Sequence, residues 1–346
     1  MDWVASAARR LERGSFDGPV GRGAERIWQA ISATRVARPL VLPPGVRTIA
    51  IGGATLGGSG KTPLSILCAE LASRAGAKVA LVGHAFRASP ERARIVLPED
   101  DVACVGDEAL VCARRLFAVA TVVVGPTRQS AIDHAAACGA EVIVLDGVSQ
   151  ASPRRVDLAL LALQIPNPWG AGACPPRGDL RAPRSALLGA CDRSVGIGDA
   201  PDCDVFMKSR GAWDGTRYVD YDELSALRLG LVTSLARPGR VSAWLGRRGV
   251  VPEVVLSGGD HRAVSTRAMR EAGKGLDAWV ATEKCLTNLP GSAGLPVFTL
   301  DYKAFATPSF ARELATALTR QTSGHRLEQS EFLPCALGTE PRPWGP

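Results

Sequence analysis

The chain reads as an α/β protein, a P-loop NTPase-like parallel sheet followed by a second, smaller α/β domain. Three observations predict this. Short apolar runs rich in β-branched residues alternate with helical patterns, one such run leads directly into Thr55-Leu56-Gly57-Gly58-Ser59-Gly60-Lys61-Thr62, and the alternation lapses mid-chain and then resumes. Strands buried on both faces read as continuous apolar runs, and regular alternation with helices requires parallel strands joined by right-handed crossovers.

In order, strands are expected at residues 48–53, 78–83, 120–125, 141–146 and 156–163, with helices at 62–75, 108–117 and 128–138. The ligand of such a sheet belongs at the carboxyl ends of its strands. From Pro166 to Pro183 the pattern breaks into a Pro/Gly-rich loop that fits neither strand nor helix and carries Arg177 and Arg181. A loop of this length in a compact domain is usually functional or disordered, and its arginines suit an anionic ligand. After a polar stretch at 209–223, strands are expected at 229–234, 251–256, 278–282 and 296–300, with helices at 239–248, 262–272 and 309–318. This predicts an N-terminal segment at 1–47, a nucleotide-binding domain at 48–208, a smaller α/β domain at 209–320 and a loose tail at 321–346.

The 346 residues suffice for two ordinary domains, and 46% hydrophobic with 22% charged residues is a globular composition. A net charge of +7 suits an anionic partner, whether nucleotide, phospholipid surface or nucleic acid. Nine cysteines with no Cys-x-x-Cys pair and no zinc spacing argue against a disulfide framework or a structural metal, and point to the cytosol. Cys68, Cys112 and Cys138 fall in expected helices and read as small core residues. No run of about 18 apolar residues exists and the start lacks an apolar signal centre, so the chain is expected neither to span a membrane nor to be exported.

Within 1–47 every cation is arginine, interleaved with Trp3, Val4, Leu11, Ile27, Trp28, Ile31 and Val36. Trp28 and Ile31 share a helical face with Ala24 and Arg35, an apolar stripe flanked by positive charge that suits a membrane interface. Pro19, Gly21 and Gly23 are expected to cut this stripe off from the apolar residues before it, and an arm packed on its own domain is the alternative.

The phosphate loop departs from the strict pattern only in carrying Thr55 where Gly is usual. Gly57, Gly58 and Gly60 let backbone N–H groups close around phosphate oxygens, with Ser59 between them. Lys61 is placed to neutralise the β/γ-phosphates and the Thr62 hydroxyl suits Mg²⁺. Asp146 ends the run Val142-Ile143-Val144-Leu145, the place of an aspartate that orients Mg²⁺, or else of a turn residue before Gly147. Asp107 and Glu108 precede a helical run. Either could take a proton from an attacking hydroxyl, and either could equally cap the helix. His261, after Asp260, sits at an expected loop-to-helix junction where a cap or surface role is more usual.

Taken in order, the motifs resemble the tetraacyldisaccharide 4′-kinase family. The matching stretches are Gly57-Gly58-Ser59-Gly60-Lys61-Thr62-Pro63, Val105-Gly106-Asp107-Glu108, Leu145-Asp146-Gly147, Gly178-Asp179-Leu180-Arg181-Ala182-Pro183, Ala236-Arg237-Pro238-Gly239-Arg240, Asp260-His261 and Thr282-Glu283-Lys284. Thr55 in place of the first glycine is itself typical of that family. The resemblance implies an ATP- and Mg²⁺-dependent kinase of the lipid A pathway that phosphorylates an acylated glucosamine disaccharide at the cytoplasmic face of the inner membrane, without a nucleic-acid partner. It implies that Lys61 and Thr62 hold nucleotide and Mg²⁺ and that Asp107 works with His261 as the base dyad on the sugar 4′-hydroxyl. Glu108, Arg181 and Asp260 are expected on the substrate side, and the N-terminal segment on the membrane surface.

Several positions differ from the family pattern. One aspartate, Asp146, stands where two are usual. Gly83-His84-Ala85-Phe86-Arg87 replaces Ser-Arg-Gly-Tyr-Gly, Arg181-Ala182-Pro183 replaces Arg-Glu-Pro, and Cys285 follows Thr282-Glu283-Lys284 in place of Asp. The missing carboxylates at 145 and 182 are expected to weaken metal positioning or alter which lipid is accepted, while phosphate binding survives. They also motivate a second reading, a non-catalytic relative that binds nucleotide or lipid as a regulator or scaffold. A P-loop metallochaperone is disfavoured because no Cys/His cluster and no guanine-reading motif is present.

Overall fold

The computed structural model describes residues 10–14, 16–85, 88–235, 238–258, 264–289 and 294–319. Its larger sheet has nine strands, in the order Lys303–Ala306, Val205–Lys208, Arg193–Gly198, Leu158–Gln164, Arg47–Gly53, Val142–Asp146, Val79–Val82, Thr121–Val124 and Arg94–Ile95. All neighbours pair in parallel except the two edge strands, which run antiparallel. The five expected strands of this domain are all present at its centre.

Period-two alternation divides the central strands between two cores. Ile49, Ile51, Leu81 and Val144 face the helix Lys61–Arg74 through Leu64, Leu67 and Cys68. Ala50, Val82, Ile143 and Leu145 face the helix Arg128–Ala137 through Ala131 and Ile132. Cys68 and Cys112 are buried as expected, whereas Cys138 is exposed, because the helix ends at Ala137 and leaves it in the C-cap turn.

The second sheet has six strands, ordered Tyr218–Val219, Ala212–Trp213, Val297–Leu300, Ala278–Thr282, Leu229–Thr233 and Val254–Ser257. Its last four strands in that order are mutually parallel. Helices Pro238–Gly246 and Thr266–Ala272 cover it, burying Trp244, Leu245 and Met269.

The structure adds elements that the chain's pattern did not mark and moves one boundary. The stretch 184–208 holds a helix, Arg184–Ala190, and two strands; Arg193-Ser-Val-Gly-Ile-Gly is too polar and glycine-rich to read as a buried strand. The boundary at 209–320 fails at its far end. After Leu300 the chain returns, Lys303–Ala306 pairs with Val205–Lys208, and the helix Pro308–Thr319 buries Phe310 and Leu314 in the larger domain's core. The return covers what would otherwise be an open sheet edge. The N-terminal helix carrying Trp28 and Ile31 begins at Pro19 and runs to Thr34, so the stripe is separated from Leu11 as expected, while Gly21 and Gly23 lie within the helix. Proline suits the first helical position, and Gly21 is required because the Phe16 carbonyl lies where its side chain would stand.

Candidate active site

The central strand Arg47–Gly53 ends at the phosphate loop, and Gly60, in a left-handed conformation at φ 84°, turns the chain into the helix Lys61–Arg74. A side chain at Gly60 would be strained by that backbone and would press on Ile197. Thr55 fills its position by donating its hydroxyl to the Gly57 carbonyl at 2.8 Å and by pairing with Leu180 across a β-bridge. Lys61 folds back over the loop, Nζ to Ser59 Oγ at 3.2 Å, and a side chain on Gly53 would block its path at 2.8 Å from Cγ. Burial, and then Arg181, push the Lys61 ammonium below its ordinary pKa, while Asp146 and Glu108 pull it back up. Thr62 follows in the first helical turn.

Asp146 points to the same side of the sheet and is buried, with Oδ1 accepting from Ser65 at 2.9 Å. Burial and the nearby Glu108 raise its pKa above the ordinary carboxylate range against the pull of Lys61 and Ser65. Its charge is therefore poorly compensated by protein alone, the condition in which a bound cation is favoured. Thr62 and Asp146 offer hard oxygen donors that fit Mg²⁺. Leu145 lies on the opposite face among Ala50, Val82 and Ile132, so in this chain that position serves packing.

Asp107 and Glu108 open the helix Asp107–Arg115, whose N-cap is Gly106. The capping alternative holds in part, since Asp107 Oδ1 accepts the Glu108 N–H at 2.8 Å. Both carboxylates also meet the second domain. Lys284 Nζ donates to Glu108 Oε1 at 2.8 Å and Asn288 Nδ2 to Asp107 Oδ2 at 3.3 Å. Burial pushes the Glu108 carboxyl up, but the Lys284 charge and hydrogen bond, with Lys61, leave it below its usual value. About two turns further, Arg115 pairs with Glu283 at 2.5 Å. Arg240, from the second domain, donates to the Gly58 carbonyl at 2.7 Å.

The loop 166–183 folds back onto the phosphate loop. Leu56 N–H donates to the Asp179 carbonyl and Arg181 N–H to that of Ala54. Burial and Arg38 push the Arg181 guanidinium below its ordinary pKa, and its buried Nε has no hydrogen-bond partner among the described residues. That geometry fits an anionic oxygen. The N-terminal helix holds this loop through buried Glu25, which accepts from Cys174 N–H at 2.8 Å and Arg177 at 2.7 Å, and through Trp28, which donates to the Arg181 carbonyl at 3.2 Å. Ala182, where the family pattern has an acid, is buried against Ala54, Leu161 and Leu187.

The structure thus brings Lys61, Asp146, Glu108, Asp107 and Arg181 to one cleft at the carboxyl ends of the larger sheet. Asp260 and His261 lie outside the described residues. Sequence reading missed Asn288 and the roles of Lys284 and Arg240 at this cleft; the motifs containing Lys284 and Arg240 marked their stretches, but nothing marked Asn288.

The family model for tetraacyldisaccharide-1-P 4′-kinase matches residues 25–319. A tetraacyldisaccharide 4′-kinase of Methylobacterium radiotolerans is 32% identical over 335 residues, 93% of this chain and 97% of the relative. Another from an Anaeromyxobacter species is 34% identical over 292 residues, covering 73% and 76% of the two chains. An ATP-complexed crystal structure of LpxK from Aquifex aeolicus superposes with a TM-score of 0.65, at 20% identity, over 86% of this chain and 97% of that one, which shows the shared fold. With a family match running from the N-terminal helix through the returning C-terminal helix, this chain belongs to the tetraacyldisaccharide-1-P 4′-kinase family.

Proposed function

We propose that this protein is an ATP-dependent kinase that phosphorylates the 4′-hydroxyl of a tetraacyldisaccharide 1-phosphate in lipid A biosynthesis. The observation that carries the reading is the convergence of a lysine-bearing phosphate loop, a buried aspartate beside it and a second acidic pair on the same side of one cleft.

The backbone at Gly57, Gly58, Ser59 and Gly60, with Lys61, cradles the β- and γ-phosphates of ATP. Mg²⁺, held by Thr62 and Asp146, would neutralise charge on the phosphate oxygens. Asp107 accepts the proton of the 4′-hydroxyl, with His261 as its proposed partner in the dyad. The hydroxyl oxygen forms the new bond to the γ-phosphorus, the bond to the β–γ bridging oxygen breaks, and ADP departs. Glu108 and Arg181 line the acceptor side, Arg181 offering its unpartnered N–H to an anionic substrate oxygen, and Asp260 is proposed to join them.

The N-terminal helix supports action at the inner face of the membrane. Val20, Ile27, Trp28 and Ile31 are exposed on it beside Arg22, Arg26 and Arg35, a composition suited to anionic lipid. No helix among the described residues is long and apolar enough to cross a membrane.

Incubation with γ-labelled ATP and tetraacyldisaccharide 1-phosphate, followed by thin-layer separation, tests the reading. Label in the lipid, lost in the Lys61→Ala variant, is the expected result. Folded protein that binds ATP and yields no labelled lipid would favour the regulatory alternative instead.

A further inference from the structure

The geometry points to Asn288 as a positioning residue for Asp107, supplied by the second domain and engaged only when the two domains meet. The inference rests on the reading of Asp107 as the base and adds what holds that base in line. Asp107 Oδ1 accepts the N–H of Glu108 within its own helix, which fixes one oxygen. The second oxygen, Oδ2, receives Asn288 Nδ2 at 3.3 Å from across the cleft. A carboxylate held at both oxygens presents its remaining lone pairs in a fixed direction, which an attacking hydroxyl requires.

Asn288 is itself pre-set. Its amide nitrogen also contacts the Thr287 hydroxyl at 3.2 Å and the Lys284 carbonyl at 3.5 Å, so it sits in the turn that ends the helix Glu283–Leu286. That helix makes two further contacts with the helix of Asp107, Glu283 to Arg115 and Lys284 to Glu108. The ion pairs set the register between the two helices, and Asn288 is the member of the set that touches the proposed base. An uncharged amide suits this task, because it donates to the carboxylate without placing a full positive charge beside it, which would make the base weaker.

The test is a double-mutant cycle on the full-length protein with ATP and tetraacyldisaccharide 1-phosphate. Asn288→Ala and the similarly sized Asn288→Leu, which remove the donor without adding charge, are expected to lower kcat by about 10- to 100-fold, the range for a hydrogen bond to a charged group. KM for ATP should stay within about twofold and the thermal midpoint should hold, because Asn288 touches neither the phosphate loop nor a core. In an Asp107→Ala background, Asn288→Ala should cause no further loss. Wild-type kcat in Asn288→Ala, a loss expressed in the KM for ATP, or losses that multiply in the double variant would overturn the inference. Full activity in Asp107→Ala alone would instead remove the reading of the base on which it rests.

Discussion

The two domains present the same kind of edge to the cleft, the carboxyl ends of parallel strands, and equip it in opposite ways. On the larger sheet the strand ends carry buried charge and hydroxyls: Asp146 with Ser65, Asp107, and Lys61 with Ser59. On the smaller sheet the described residues that end the parallel strands, Thr233, Ser257, Thr282 and Leu300, are uncharged. Thr233 and Ser234 are its buried polar residues among those described, and Cys285 packs beneath them, accepting from Ser234 N–H at 3.3 Å and Thr282 Oγ1 at 3.0 Å. What the smaller domain contributes instead are side chains, Arg240, Lys284 and Asn288, that cross the cleft. Buried charge is costly to hold, so it marks the side that needs it for chemistry, whereas side chains reaching across from the other domain can engage and release as the domains move.

The largest expected effect falls on the charged side. Lys61→Ala should lower kcat by about 10³-fold while the protein keeps its fold, since it removes the cation nearest the transferred phosphoryl group without leaving a core cavity. A comparable loss from Lys284→Ala would erase the distinction between the domains, because both would then hold an indispensable cation.

Asp146→Asn follows, at about 10²-fold in rate, with the opposite effect on stability. The raised pKa of Asp146 means that the folded state favours its protonated form. Its contribution to stability is therefore present below the ordinary aspartate pKa and is lost as pH rises through the raised folded value. At pH 8 without ligand the asparagine variant should melt higher than wild type, and the gap should narrow as pH falls toward the ordinary carboxylate range. Mg²⁺ with ATP should close the gap from the other side. Melting curves across pH check this, and a variant that melts lower throughout would show that the Asp146 charge is already satisfied.

The charged side was also the more legible one. Phosphate-loop chemistry demands particular residues at fixed spacing, so Gly57 to Thr62 and Asp146 could be placed from the chain alone, as could the strands that carry them. The side chains that cross the cleft depend on how two separately folded sheets meet, and a single residue such as Asn288 leaves no periodic or spacing trace of that. For the same reason the return of Lys303–Ala306 to the first sheet was invisible: a four-residue edge strand is chosen by the open edge it covers, not by its own pattern. The departures at Leu145 and Ala182 looked like lost chemistry because part of the apolar surface that receives them, Ala50 and Val82 in one case and Ala54 in the other, is remote in sequence.

A smaller effect is expected at Arg240, whose guanidinium holds the Gly58 carbonyl in a solvent-exposed bond and also lies 3.8 Å from Glu12. Exposed charge pairs of this kind are worth about 0.2–1 kcal/mol, so Arg240→Ala should raise KM for ATP by about two- to fivefold with kcat nearly unchanged. Steady-state kinetics against ATP concentration measure it. A collapse of kcat would place this side chain among the groups that act in the transition state and not among those that hold the domains together.

The smallest effect tests the uncharged strand ends themselves. If Cys285 serves packing and two weak acceptor contacts, Cys285→Ser replaces a large sulfur by a smaller oxygen, lengthens the contact from the Ser234 N–H beyond a good hydrogen bond, and leaves a small gap in the core around Trp279 and Met269. Stability should fall by about 1 kcal/mol, read as a shift in denaturation midpoint at constant slope, with kcat and KM unaltered. Loss of turnover in a variant this mild would mean that the Thr282–Cys285 turn transmits directly to Lys284 and Asn288 through the helix it begins. Those strand ends would then be part of the catalytic apparatus, and the division of labour between the two sheets would have to be redrawn with Cys285 on the side of the chemistry.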